Sequence, residues 1–230
     1  MKTQVILAAG GTGVRLNADV PKPLALLGKK PLFIYALKVF ERSRVIDSII
    51  VVCPKAHRKQ FVQAINKFGL SKVAQVVAGG KKRRISVYKG LQALDGDTDV
   101  VLIHDAARPF VRLALVNKAV RACYQDKALI VAVPVKPTIK RIDGKKGVVE
   151  ATLDRRFLWE VQTPQIFQKD LILRAHAQLM DYEVTDDSAL VEHLGHPVKV
   201  IKGSYDNIKI TTPDDLILAE HILTIRKKRG

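Results

Sequence analysis

Two kinds of apolar pattern alternate along the chain. Short runs with few polar positions are Val5–Ala9, Ser48–Cys53 closed by Pro54, Val73–Ala78 before Gly79 and Gly80, Val100–His104, and Leu129–Val135. Strands of that kind are covered on both faces. Between them lie stretches whose apolar residues return at helical spacing. In Pro31–Arg42, Leu32, Tyr35, Ala36, Val39 and Phe40 share a face, and in Ala56–Phe68 so do Phe61, Ile65 and Phe68; Ile85–Leu94 and Leu113–Tyr124 read as further helices. Strands separated by helices are crossover units, which predicts an α/β fold built on an open, doubly wound, mostly parallel sheet. Ligands in such sheets sit beyond the carboxyl ends of strands, which points to the loops after Ala9, Ala78, His104 and Val135.

The pattern changes after Lys136. Two short strand-like pieces, Thr138–Ile142 and Val148–Leu153, flank the turn Asp143-Gly144-Lys145-Lys146-Gly147. The segment of about 136–158 is too poor in apolar residues to form a core of its own, so it is expected to be an extended β-arm that pairs with a second copy in a homodimer. Beyond it the sequence predicts a loop at Thr163-Pro164-Gln165, helices at Lys169–Met180 and from Asp186 or Asp187 to His193, and strands at Pro197–Ile201 and Ile208–Ile210. A final helix from Pro213 to about Arg226 is capped by Thr211 or Thr212, with Asp214 and Asp215 suited to its N-terminal dipole. No repeat, linker or low-complexity segment divides residues 1–230, so one domain is expected.

Composition narrows the picture. A hydrophobic fraction of 47% supports a sizeable core, yet the longest apolar run, Ala128–Val135, falls far short of a membrane span. The N-terminus lacks the parts of a signal peptide, and Cys53 and Cys123 have no metal-ligand spacing. A cytoplasmic protein with reduced, buried thiols is expected. The net charge of +17 fits a nucleic-acid binder, a binder of small polyanions, or a lysine-rich solvated surface. The clusters Lys81–Arg84 and Arg226–Arg229 contain no interleaved aromatics, as a base-stacking platform requires, so nucleic acid is not the expected partner.

The richest local chemistry follows the first strand: Ala9-Gly10-Gly11-Thr12-Gly13-Val14-Arg15, then Pro21-Lys22-Pro23. Glycines let backbone amides approach phosphates. A dinucleotide fingerprint fails at Leu16, where a small residue is required, and the Gly-Lys-Ser/Thr of a P-loop is absent. What remains is a tight strand-to-helix turn, or a triphosphate cradle whose cations, Arg15 and Lys22, come from the loop itself.

The N-terminal motif resembles the sugar-nucleotide pyrophosphorylases. Further segments resemble one family among them, the 2-C-methyl-D-erythritol 4-phosphate cytidylyltransferases. These are Ala78-Gly79-Gly80 with Arg83, Ser86-Val87 and Gly90-Leu91; His104-Asp105-Ala106-Ala107-Arg108-Pro109; Thr138-Ile139-Lys140; Thr152-Leu153-Asp154-Arg155; Gln162-Thr163-Pro164-Gln165; Thr185-Asp186-Asp187; and Asn207-Ile208-Lys209-Ile210-Thr211. They appear in the family's order over nearly the whole chain. The resemblance implies a Rossmann-like nucleotidyltransferase of the non-mevalonate isoprenoid pathway, acting alone rather than fused to a later enzyme. Its reaction would join CTP to the polyol phosphate, with Mg²⁺ as divalent cation.

By the same resemblance, Arg15, Lys22, Arg155 and Lys209 would be catalytic. Ala9, Gly10, Gly11, Gly13, Gly80, Arg83 and Ser86 would bind CTP. Asp105, Arg108, Thr138, Arg155, Thr163, Thr185 and Lys209 would form the polyol-phosphate pocket, with Arg155 and Thr163 reaching it from the partner subunit. Asp105 is the candidate Mg²⁺ contact, the metal being held mainly by the CTP phosphates. His104 is expected to be a hydrogen-bonded structural residue. Two positions depart from the family pattern: Pro137 precedes Thr138 where an acidic residue is common, and Lys81-Lys82 follow the glycines. A cytidylyltransferase for ribitol phosphate or another polyol phosphate is the nearest alternative, and a non-catalytic basic nucleotide- or nucleic-acid-binding protein is the alternative of another class.

Overall fold

The computed structural model describes residues 1–10, 21–179 and 182–229. Its centre is a seven-stranded sheet in the order β11-β7-β10-β6-β1-β4-β5. The strands are β1 (Lys2–Ala8), β4 (Ser48–Cys53), β5 (Val73–Ala78), β6 (Thr98–Asp105), β7 (Ala128–Pro134), β10 (Trp159–Gln168) and β11 (Lys199–Lys202). Neighbours pair in parallel except β10, which runs antiparallel to both β6 and β7. A two-residue pair, β2 (Leu26–Leu27) and β3 (Lys30–Pro31), leads into the first helix.

Side chains along β1 show why the apolar runs are continuous. Val5 and Leu7 point into one core layer, against α1 (Leu32–Glu41), α2 (Arg58–Lys67) and α4 (Leu113–Asp126). Ile6 points into the other, against α3 (Arg83–Gln92), α5 (Lys169–Gln178) and α6 (Ser188–His193). A strand whose alternate residues enter two cores has no polar face to show. The last helix, α7 (Pro213–Arg229), covers a smaller cluster of Leu27, Leu32, Phe110, Ile210 and Ala219. Its start is tied by Asp215, which accepts from the backbone of Thr211 and Thr212 while its own N–H donates to Thr212 Oγ1. That reciprocal arrangement is a capping box.

Two expectations need correction. Thr163-Pro164-Gln165 is not a loop but the middle of β10. Ile166 and Phe167 anchor that strand in the cores, and the ladder to β7 shifts register between Gln162 and Gln165. Pro164, which has no N–H to offer, sits at that shift, so turn-forming residues are accommodated inside a sheet. Ile208–Ile210 is not a strand. Ile210 is buried and its N–H donates to Ala107 O at 2.9 Å, but no ladder forms, so the alternating pattern has another cause.

The predicted arm is a hairpin of β8 (Lys140–Asp143) and β9 (Val148–Thr152), which forms a two-stranded sheet separate from the main one. Ile142, Val148 and Val149 on it are exposed.

Close packing of α3 on the sheet depends on Gly90. A Cβ there would lie 2.7 Å from Ile6 Cγ2 and 3.0 Å from Val52 Cγ2, both in the closed core. Gly90→Ala gains helix propensity of about 1 kcal/mol but overpacks a core at a cost of roughly 1–3 kcal/mol. The expected result is a net loss of stability and a thermal midpoint lower by roughly 2–8 °C, read by calorimetry.

Candidate active site

Chain direction reverses around β1: β4 and β5 build outward on one side, and the chain then returns to place β6 on the other. The crevice beyond the carboxyl ends of β1 and β6 is therefore the switch point at which doubly wound sheets bind ligands. Ala8 pairs with Asp105 there, and Ala106 N–H donates to Ala8 O at 3.0 Å.

Glycines expected on the nucleotide side meet at Ser86. This serine is buried in the first turn of α3, where its Oγ accepts the Gly80 N–H at 3.0 Å. A Cβ at Gly10 would stand 3.1 Å from that oxygen, and one at Gly79 only 2.7 Å. Gly10 and Gly79 thus allow β1, β5 and α3 to meet. Ala9 is fully buried and donates to Val52 O at 2.7 Å, which fixes the exit from β1. Gly11, Gly13 and Arg15 lie outside the described residues. Lys22 sits in a 3-10 turn between Pro21 and Pro23, and its ammonium donates to Thr211 O at 3.3 Å. The lysine of the N-terminal motif therefore meets the segment that carries Lys209.

At the centre is the Asp105 carboxylate. Its Oδ1 accepts from Arg83 Nε at 2.9 Å and its Oδ2 pairs with Lys209 Nζ at 2.8 Å. Burial alone would raise the pKa of this group, but Arg83 and Lys209 outweigh it and hold the carboxyl well below the usual carboxylate range. Arg83 also reaches Asp187 Oδ2 at 2.7 Å. Burial works against the guanidinium charge, and Asp187 and Asp105 more than offset it. The irregular segment 208–210 buries Ile210 and brings the ammonium of the partly exposed Lys209 to Asp105.

His104 behaves as expected. It is fully buried, edge-on to Phe40, and burial pushes its pKa down to about 4. Its Nε2 lies 3.0 Å from Arg108 O, which can only accept, so Nε2 carries the proton. Nδ1 is then the acceptor for the Thr163 hydroxyl at 3.0 Å, while that hydroxyl accepts the Asp105 N–H at 3.1 Å. Within the chain, Thr163 is buried behind Asp105, and its hydroxyl is taken up there.

Arg108 is also buried, with Nη1 on Asn207 O at 2.8 Å and Nη2 on Val161 O at 3.3 Å, and its Nε has no partner among the described residues. Thr138 and Thr185 are exposed. Arg155 is exposed at the base of the arm and donates to Lys136 O at 2.7 Å. Among the described residues, these three share no hydrogen bond with Asp105, Arg83 or Lys209. His176 is missed at the sequence level. Asp187 opens a predicted helix and lies in the Thr185-Asp186-Asp187 segment of the resemblance, but only the fold shows it buried against Arg83.

Glycine-lined strand ends at the switch point, with cations gathered round one buried carboxylate, are the features of an α/β nucleotidyltransferase. The sequence profile of 2-C-methyl-D-erythritol 4-phosphate cytidylyltransferase matches residues 3–225, and the chain belongs to that family. The enzyme of this name from Geobacillus kaustophilus is 48% identical over 228 residues, covering 98% of this chain and 99% of the relative. The one from Alkaliphilus metalliredigens is 45% identical over 229 residues, covering 98% and 95%. Among solved structures, 4-diphosphocytidyl-2C-methyl-D-erythritol synthase from Anaerococcus prevotii superposes with a TM-score of 0.86 at 33% identity, covering 97% of this chain and 96% of that one. The chain is accordingly a cytidylyltransferase of non-mevalonate isoprenoid biosynthesis.

The depressed pKa of Asp105 has a signed consequence. A carboxyl whose folded value lies below its unfolded one adds stability that is fully present above the unfolded pKa of about 3.9. That stability is lost as pH falls toward the folded value. Denaturant midpoints of the wild type and Asp105→Asn should therefore differ by a constant amount from about pH 7 to 5 and converge below about pH 4. A gap independent of pH down to acid unfolding would contradict the pairing.

Proposed function

We propose that this site transfers the cytidylyl group of CTP to 2-C-methyl-D-erythritol 4-phosphate, giving 4-diphosphocytidyl-2-C-methyl-D-erythritol and pyrophosphate. The observation that carries this is the Arg83–Asp105–Lys209 cluster at the switch point, where β1 ends in Gly10. A phosphomonoester, with a second pKa of about 6, is largely a dianion at neutral pH, so its oxygen can attack the α-phosphorus without a general base. The neutral, fully bonded His104 accords with that. The protein's part is to bring two polyanions together and to balance charge building on the phosphoryl oxygens. Lys22, with Arg15, serves the triphosphate; Lys209 meets the attacking phosphate; Gly10, Gly80 and Ser86 frame the nucleoside side.

Mg²⁺ is proposed as the divalent cation. Among the described residues, no group of three His, Cys, Asp or Glu side chains stands ready to cage a metal. Both Asp105 oxygens already face cations, so the donor set fits an ion carried by phosphate oxygens with at most one protein contact. When bound, such an ion neutralises triphosphate charge.

The homodimer is proposed on the hairpin. Its Ile142, Val148 and Val149, with Phe157 and Trp159 beyond it, are large apolar side chains left exposed in the single chain, which a second copy would cover. Arg155 at its base would then serve the partner's polyol phosphate. No described helix is long and apolar enough to cross a membrane, and both cysteines are free and buried, which accords with a cytoplasmic location.

Pyrophosphate release from CTP and 2-C-methyl-D-erythritol 4-phosphate, beside ribitol 5-phosphate, tests the substrate. Release with ribitol phosphate alone would overturn it. Lys22→Ala should lower kcat by about 10²–10³, as removal of a transition-state donor does, with the thermal midpoint nearly unchanged. Arg155→Ala should raise KM for the polyol phosphate more than for CTP. A mixture of Arg155→Ala and Lys209→Ala chains should regain activity, because one of the two sites in a mixed dimer would be intact; no recovery on exchange would refute the cross-subunit site.

A further inference from the structure

Behind Asp105 lies a second buried carboxylate that the proposed reaction does not use. Asp187 is 1% exposed at the start of α6. Its backbone N–H donates to Gln165 Oε1 at 3.1 Å, and Gln165 Nε2 in turn donates to Asp186 at 2.7 Å, so β10 holds the turn in place. Asp187 Oδ2 takes Arg83 Nη1 at 2.7 Å, and its Oδ1 lies 3.3 Å from His176 Nε2. The imidazole is buried on α5 and stacks on Tyr88 of α3 with centroids 6.1 Å apart. The imidazole edge thus faces the carboxylate across 3.3 Å.

The consequence concerns how Arg83 meets Asp105. A guanidinium beside a carboxylate prefers to place two N–H groups on its two oxygens. Here Arg83 offers Nε to Asp105 Oδ1, and while Asp187 holds Nη1 on the opposite edge of the guanidinium, Nη2, which would complete the fork with Nε, makes no bond to Asp105 Oδ2. Asp105 Oδ2 is thereby left for the Lys209 ammonium. We propose that Asp187, held from behind by His176, is a positioning residue: it keeps Arg83 on one oxygen of Asp105 and so reserves the other for Lys209. This rests on the reading of Lys209 as the residue that meets the attacking phosphate.

A double-mutant cycle tests it. Asp187→Asn keeps the shape but weakens the pull on Arg83, which can then close on both oxygens of Asp105 and release Lys209. kcat should fall on the order of 10- to 100-fold, the scale of a misplaced reacting group, while KM for CTP changes less. Lys209→Ala should cost little more in the Asp187→Asn background than Asp187→Asn already costs, since both remove the same ammonium. His176→Phe preserves the ring against Tyr88 and loses the nitrogen facing Asp187; kcat should fall, though less, with the thermal midpoint kept. This variant stands in if Asp187→Asn does not fold. A crystal structure of whichever variant folds supplies a readout independent of turnover, with Arg83 bidentate on Asp105 and Lys209 detached. Additive costs in the cycle, or Lys209 still seated on Asp105 in the variant, would overturn the proposal. Lys209→Ala in the otherwise wild-type chain separately tests the underlying reading, because unchanged turnover there would sink the role of Lys209 whatever Asp187 does, so the two failures are distinguishable.

Discussion

The site depends on one buried carboxylate shared between two cations. Asp105 is placed by β6, Arg83 by the first turn of α3, and Lys209 by an irregular segment near the C-terminus. Ion pairs taken out of water contribute little net stability, because desolvation offsets attraction. Their value here is directional. A negative charge at the end of β6 gives two flexible side chains one shared target, and it brings together parts of the chain that no backbone ladder connects.

That arrangement works because the scaffold around it is closed on both faces. β1 sends alternate side chains into two cores, which fixes its height relative to β4 and β6. The same strand ends in residues without side-chain bulk, so α3 can approach until Ser86 stands against Gly10 and Gly79. The antiparallel β10 then contributes from behind. Thr163 joins the Asp105 backbone to His104, and Gln165 orders the turn of Asp186 and Asp187. An imidazole with both nitrogens occupied holds backbone in place; it does not transfer protons.

Much of this was legible in the sequence, and the limits are physical. The parallel strands were readable because a strand buried on both faces leaves a continuous apolar run. Asp105 was readable as a strand-end residue for the same reason. β10 was not, because Thr163-Pro164-Gln165 has turn chemistry and only the register shift against β7 shows how a sheet absorbs it. Ile208–Ile210 alternates like a strand, yet alternation reports which side is covered, not whether a ladder partner exists. The partners of Arg83 lie 22 and 104 residues away, so no local spacing announces them. The Thr163 hydroxyl bonds His104 and the Asp105 backbone, partners that no local spacing announces either.

Electrostatic economy explains why a site for two polyanions contains buried carboxylates at all. Cations left unpaired beside one another would repel and swing outward into solvent. Asp105 and Asp187 hold Arg83 and Lys209 inward, so the cluster Asp105, Asp187, Arg83 and Lys209 is close to neutral before substrate arrives. On the proposed reading, an incoming phosphate competes with Asp105 for Lys209 and wins by carrying more charge. Arg83 remains on Oδ1, so the carboxylate does not lose both partners at once. Oδ2 is then open to a substrate hydroxyl. A lysine that trades a carboxylate for a phosphate needs little reorganisation, because its direction was already set.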